Sequence, residues 1–334
     1  MIAERKRAAT VIDPTGVEVG IPVDIDDDFD YCDLDRPGKV RDYYEQNGYV
    51  VVRGLIPPEL CDQAHALFEE QVKPYNGFIY RQATANPERH VFTSHGFMLN
   101  SILNIQSLAR HRFGAFRDAG LAILTHPNLQ AAVKNLLGEP GKIVQTMYFE
   151  GNPKTWAHQD TYYLDAEQIG RMVGVWIAVE DIRPDAGRFY VYPKSHLVNM
   201  AKNGGAIDYA FHHDQYKELV KKIIRENNLT CRAPALRKGD VLFWASKTIH
   251  GSLETTEPAH SRRSFTGHFI PQSSRFLQFQ SRIKPLELET INGVSVHKPK
   301  DMARAKNRAI LFVETRFPRA YQFARKAAIK LVTG

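Results

Sequence analysis

Two imidazoles and one carboxylate stand out in this chain: His158-Gln159-Asp160, and His250 about ninety residues later. Such a set is what a mononuclear non-haem iron(II) site needs, where three protein ligands take one face of the metal and leave the opposite face open. On a β-strand residues two apart point the same way, so His158 and Asp160 share a face while Gln159 turns outward. A third ligand from a distant strand, His250, completes the triangle.

The tripeptide alone is weak evidence, because a chain with 13 histidines contains a His-x-Asp about once by chance at ordinary residue frequencies. A decoy is present. His212-His213-Asp214 precedes Tyr216, Leu219, Val220, Ile223 and Ile224, whose spacing is that of one helix face, with Asp214 as its N-cap. His158-Gln159-Asp160 lies instead between strand-like stretches at 142–149 and 172–179.

The 334 residues, 43% hydrophobic and 24% charged, have the composition of an ordinary globular protein. No run approaches the length of a membrane span, and the basic N-terminus lacks the apolar segment of a secretory signal. Cys32, Cys61 and Cys231 are odd in number and form no Cys-x-x-Cys pair, which predicts reduced thiols and a cytoplasmic setting. The net charge of +7 is dispersed, and no nucleic-acid module is visible, so a solvated basic surface with no nucleic-acid partner is expected. The basic stretch 304–330 predicts a helix whose apolar face (Phe317, Tyr321, Phe323, Ala324, Ala327, Ala328, Leu331) packs on the body rather than on a membrane.

Along the chain, residues 1–37 read as an extended arm, 38–285 as a single domain and 286–334 as a helical C-terminal extension. A helix over 40–46 closes at Asn47-Gly48 before a strand at 49–52, and a second helix follows from Pro57 to about Val72. Residues 84–100 are polar and irregular, with helices expected over 103–118 and 127–137. After Gly141 short strands dominate, at 143–149, 174–179, 189–192, 240–244 and 264–270. Strands clustered after a helical half predict an α+β or mainly β fold.

In order, the landmarks are Asn47-Gly48-Tyr49-Val50-Val51-Val52-Arg53-Gly54-Leu55, Trp156-Ala157-His158-Gln159-Asp160, Val173 to Asp181, Pro184-Asp185-Ala186-Gly187, Pro193-Lys194-Ser195-His196, Lys238 to Phe243 and His250-Gly251-Ser252. Over roughly Tyr43 to Pro271 this series resembles the phytanoyl-CoA dioxygenase family of iron(II)- and 2-oxoglutarate-dependent oxygenases. The resemblance implies a double-stranded β-helix, a cupin-like jelly-roll at about 141–271, with N-terminal helices packed on one sheet and iron near one mouth. It implies iron(II), 2-oxoglutarate and O2 as cofactor and co-substrates, with His158, Asp160 and His250 as catalytic metal ligands. Asp160 stands where related halogenases carry a small residue, so the resemblance favours hydroxylation of an unactivated C–H bond, with release of succinate and CO2.

The distal carboxylate of 2-oxoglutarate needs a cation inside the barrel, and a guanidinium binds it bidentately. Arg262 and Arg263 compete. On a strand Arg262 shares its face with Ser264, Thr266 and His268, and counting back from His268-Phe269 sets it at the family's arginine, so Arg262 is preferred. Ser252, two residues beyond His250, is expected to hydrogen-bond the same carboxylate, Trp176 to wall the pocket and Gln145 to reach the cofactor. His90, His95, Asn100, Tyr148, Tyr162 and Tyr163 are candidates for substrate contact. Lys194, where the family often has glycine, and the bulky Phe189-Tyr190-Val191-Tyr192 are departures that bear on substrate. The substrate expected is a small organic metabolite, with an acyl-CoA second. Desaturation, epimerisation or ring formation is the alternative outcome, and a β-sandwich metal-binding protein the alternative outside enzymes.

Overall fold

The computed structural model describes residues 6–29, 31, 36–200, 212–321 and 323. The chain starts with a hairpin of β1 (Ala8–Ile12) and β2 (Glu18–Pro22). The helical part follows: α1 (Pro37–Asn47), β3 (Tyr49–Val52), α2 (Pro58–Leu67), the two-residue strands β4 (Ile79–Tyr80), β5 (Pro87–Glu88) and β6 (Ile102–Leu103), then α3 (Arg110–Leu124) and α4 (Pro127–Leu137). The β-rich part runs through β7 (Gly141–Phe149), β8 (Thr155–His158), β9 (Leu164–Ala166), β10 (Val173–Ala178), β11 (Phe189–Val191), α5 (His213–Glu226), β12 (Val241–Ala245), β13 (His250–Ser252), β14 (Ser264–Pro271), β15 (Phe276–Gln278) and β16 (Arg282–Lys284). A second hairpin, β17 (Leu288–Ile291) and β18 (Val294–His297), precedes α6 (Ala305–Arg316).

The large sheet has the order β17-β18-β7-β14-β10-β12-β3, with β6 added to β7. Its two faces separate by strand alternation. Val50, Val52, Val175, Ile177, Val241, Phe243 and Phe265 pack with α2, α3 and α4, while Tyr49, Val51, Trp176, Leu242 and Trp244 turn inward to meet Phe189 and Val191 of the small sheet β11-β13-β8. The helices thus cover one face of one sheet, and the jelly-roll interior lies between the two. This is the cupin-like architecture that the sequence predicts.

Several local expectations change. The N-terminal residues are not a bare extended arm: Asp13 closes the β1–β2 turn by accepting from Thr15 and Val17 N–H, and its other oxygen accepts from Tyr192 OH at 2.8 Å. The helix expected over 103–118 starts at Arg110 and runs to Leu124, because 102–103 pair with β7 and Asn104 takes a left-handed φ of 56°. Tertiary strand pairing overrides local propensity there. The C-terminal stretch is not helical throughout, since β18 extends the large sheet beside β7. Phe317 and Phe323 are exposed rather than packed on the body, and Ala324, Ala327, Ala328 and Leu331 lie outside the described residues, as does Cys32. Asp214 does not cap α5. His212 holds the N-cap position, and Asp214 sits inside the first turn, where its charge favours the helix dipole. Among the described residues no helix is long and apolar enough to cross a membrane.

Removing the Tyr192 hydroxyl strands one oxygen of the 7%-exposed Asp13. Tyr192→Phe is therefore expected to cost about 1–3 kcal/mol, read as a lowered urea midpoint; an unchanged midpoint would show that the hairpin is not anchored there.

Candidate metal centre

The candidate donors sit where the small sheet meets a turn. His158 ends β8 and His250 begins β13, and the two are direct cross-strand partners with ring centroids 4.4 Å apart. Asp160 does not continue the strand. It opens a 3-10 turn at Asp160–Tyr162, and this turn, rather than strand alternation, brings its carboxylate back to the imidazoles. Nor does Gln159 turn outward: it is buried, its amide donates to Lys247 O, and its backbone N–H donates to Tyr216 OH at 3.0 Å. An outward side chain would need solvent where α5 covers this strand.

Each imidazole is oriented by its other nitrogen. His158 Nδ1 lies 2.9 Å from Trp156 O and His250 Nδ1 2.8 Å from Thr248 O, so each Nδ1 donates to a carbonyl and each Nε2 is the atom turned to Asp160, the one a bound metal would take. These Nε2 atoms lie 3.6 and 3.4 Å from Asp160 Oδ1. The other carboxylate oxygen is held from behind: Trp244 Nε1 donates to Oδ2 at 2.7 Å, and His268 Nε2 lies 3.2 Å from it. Burial alone would raise the Asp160 carboxyl, but the surrounding imidazoles and their hydrogen bonds hold it well below the usual range. One ligand atom from each of His158, Asp160 and His250 falls within 4.8 Å of the others, a grouping that can hold a metal ion.

Trp244 and His268 were not anticipated at this site. Their place depends on Gly174, which pairs with Trp244 on one side and His268 on the other, in the middle of the large sheet. A methyl group at Gly174 would overlap the Trp244 indole. The available signal was parity, since His268 shares the inner face expected for Arg262.

Arg262 is 2% exposed, and its guanidinium lies 5.7 Å from the Phe149 ring and 5.8 Å from the Trp176 ring. Burial pushes it down to about 9, with no carboxylate among the described residues paired with it to offset the cost. It remains a cation at neutral pH. Arg263 differs: it pairs with Glu180 at 2.7 Å and with Glu150 at 3.4 Å. Among the described residues three buried polar atoms on the inner side of β14 and its lead-in, at positions of the same parity, lack partners: Arg262 Nε, Thr266 Oγ1 and His268 Nδ1. Ser252 is buried two residues beyond His250, where its Oγ accepts from Thr155 N–H and keeps its own proton to donate. Gln145, half-buried, stands opposite His268 on β7.

The substrate candidates separate. Tyr148 is corrected: it points from β7 into the helix-facing core, 4.6 Å from Phe68 and 4.9 Å from Phe265 between ring centroids, away from the interior. His95 lies on an exposed turn against Ser94, Asn100 braces Val91 and Arg89, and His90 braces Val72, so none of these joins the triad. Tyr162 packs on Tyr216 at 4.6 Å, whereas its neighbour Tyr163 stands edge-on to His158 at 6.0 Å. Successive residues of a 3-10 turn diverge by about 120°. Lys194 takes a left-handed φ of 66°, a backbone state that glycine adopts without a Cβ penalty.

A family model described as Phytanoyl-CoA dioxygenase (PhyH) matches residues 44–264. The chain belongs to the phytanoyl-CoA dioxygenase family of iron(II)- and 2-oxoglutarate-dependent oxygenases. Among its relatives, phytanoyl-CoA dioxygenase domain-containing protein 1 of Danio rerio is 24% identical over 68% of this chain and 87% of its own length. The peroxisomal phytanoyl-CoA dioxygenase of Homo sapiens is 23% identical over 71% and 69%. Among solved structures, the non-heme alpha ketoglutarate dependent epimerase SnoN from nogalamycin biosynthesis superposes with a TM-score of 0.54 at 15% identity, covering 79% of this chain and 99% of that one. EctD from S. alaskensis gives 0.51 at 15% identity over 84% and 89%. These likenesses share the fold.

Trp244→Phe removes the donor to Asp160 while nearly keeping the ring, and is expected to weaken iron(II) binding about 10- to 100-fold. Gly174→Ala should act similarly with Trp244 intact, by shifting the indole. Anaerobic iron(II) titration checks both; native affinity in both variants would contradict the clamp.

Proposed function

We propose that this chain hydroxylates an unactivated C–H bond of a small organic metabolite, using iron(II), 2-oxoglutarate and O2. The observation that carries the reading is the row of partnerless buried polar atoms at Arg262, Thr266 and His268, beside a charged guanidinium and next to a three-ligand cluster. Native interiors rarely leave such atoms unpaired, so the row calls for a polar, anionic ligand. A keto acid whose distal end is a carboxylate meets that demand.

His158 Nε2, His250 Nε2 and Asp160 Oδ1 would hold the iron, and Arg262 the distal carboxylate in a bidentate pair, with the Ser252 hydroxyl donating to the same group. Trp176 and Phe149 exclude water around the guanidinium, which strengthens the ion pair. Gln145 would approach the cofactor from β7. Bound iron(II) and 2-oxoglutarate supply the oxidation of the C–H bond, coupled to loss of CO2 and formation of succinate. The chain's own share is to fix the ligands, desolvate the site and position the substrate. The fold relatives named above include an epimerase, which supports epimerisation or a related outcome as the second reading, because such reactions begin with the same hydrogen abstraction.

Two measurements test this. Asp160→Ala is expected to abolish 2-oxoglutarate-dependent succinate release, and retained release would refute the ligand assignment. Arg262→Ala is expected to raise the Michaelis constant for 2-oxoglutarate by 10-fold or more, as loss of a charge-assisted bidentate contact costs about 1.5–3 kcal/mol, while Arg263→Ala leaves it within about 2-fold; the reverse pattern would overturn the choice.

A further inference from the structure

The triad is unevenly covered. The side chains of His250 and Asp160 are 4% and 7% exposed, and that of His158 is 15% exposed. Phe189 stacks on His250 at 5.4 Å and Trp244 closes it at 5.0 Å. The His158 corner is instead met by Trp156 at 5.2 Å and Tyr163 at 6.0 Å. His213, from the first turn of α5, lies edge-on to Trp156 at 4.7 Å and 6.4 Å from Tyr163. Three rings from three chain segments therefore surround the most open ligand.

Tyr163 OH is buried and has no hydrogen-bond partner among the described residues. Its backbone is pinned, with Tyr163 N–H donating to Asp160 O at 2.7 Å and Phe279 N–H donating to Tyr163 O at 3.2 Å. A buried donor without an acceptor is costly unless a ligand supplies one. Aromatic walls with one or two placed polar groups are the usual lining of a small-molecule site.

We infer that the primary substrate reaches the metal past His158, between Trp156, Tyr163 and His213, and presents a hydroxyl or carbonyl oxygen to the Tyr163 hydroxyl. Trp156 takes an apolar ring or chain of the substrate, and the His213 imidazole offers a second polar contact. This rests on the oxygenase reading above and narrows its substrate class to oxygen-bearing metabolites with an apolar body. It also gives one histidine of the decoy, His213, a place in the site, as a wall rather than a ligand.

The test needs no substrate. With iron(II), 2-oxoglutarate and heavy-isotope O2 alone, one oxygen atom enters succinate as CO2 is lost. The other inserts into the nearest C–H bond of the protein, and the four electrons that reduce O2 come in equal parts from 2-oxoglutarate and that bond. Peptide mass mapping is expected to find the label on Trp156 or Tyr163, in segment 155–164. Succinate release with label elsewhere, or with none, would overturn the inference; absence of succinate would refute the oxygenase reading first and this inference with it. As an independent readout, anaerobic titration of the iron(II)–2-oxoglutarate absorption band is expected to give Tyr163→Phe and His213→Ala cofactor affinities within about 2-fold of the native protein. A 10-fold loss in either would place that residue in the cofactor site and overturn its assignment to substrate.

Discussion

The Asp160 carboxylate must remain ionised inside a barrel, and its two oxygens meet different surroundings. Oδ2 is engaged by the Trp244 indole and the His268 imidazole, while Oδ1 faces the Nε2 atoms of His158 and His250. Desolvating a carboxylate is expensive unless it is paired and hydrogen-bonded. Pairing on one side only leaves the other oxygen available to a cation. The division also fixes direction, because a carboxylate held at Oδ2 can offer a metal a single oxygen on the side where both imidazoles point.

Much of the surrounding fold serves this division. Gly174 in β10 leaves room for the Trp244 indole to cross the interior toward Asp160 and His268, and the helices cover the outer face of that sheet. The small sheet brings His158 and His250 together as a cross-strand pair, a contact that no local sequence pattern fixes. Ser195 helps set the start of β13, since its Oγ accepts from Ile249 N–H, one residue before His250. The left-handed Lys194 just before it shows why a glycine suits that position.

What could be read beforehand follows from how far each signal reaches. The triad, the jelly-roll, α4 to the residue and the choice of Arg262 as the buried arginine were legible because ordered motifs and strand parity carry them. The same parity excluded one early pairing: Gln145 and Tyr148, three apart on β7, cannot both face the interior, and Tyr148 is the one that does not. Gln159 and the start of α3 differ from expectation because their surroundings come from distant segments, α5 over β8 and β6 beside β7, whereas Asp214 differs only because α5 begins two residues earlier, with His212 as its N-cap. The Trp244–His268–Gly174 arrangement depends on three strands at once. Tyr163 rather than Tyr162 faces the triad because the chain leaves β8 after His158 and turns as a 3-10 helix over Asp160–Tyr162.

The account stands on one geometry, a metal held by a carboxylate that is clamped on its far oxygen, with a keto acid anchored by a buried arginine. Its most direct test is an anaerobic crystal structure of the protein with iron(II) and 2-oxoglutarate. The expected result is iron bonded to His158 Nε2, His250 Nε2 and Asp160 Oδ1, with Asp160 Oδ2 still on Trp244 and the distal carboxylate on Arg262. Iron bound elsewhere, or the distal carboxylate on another cation, would contradict it.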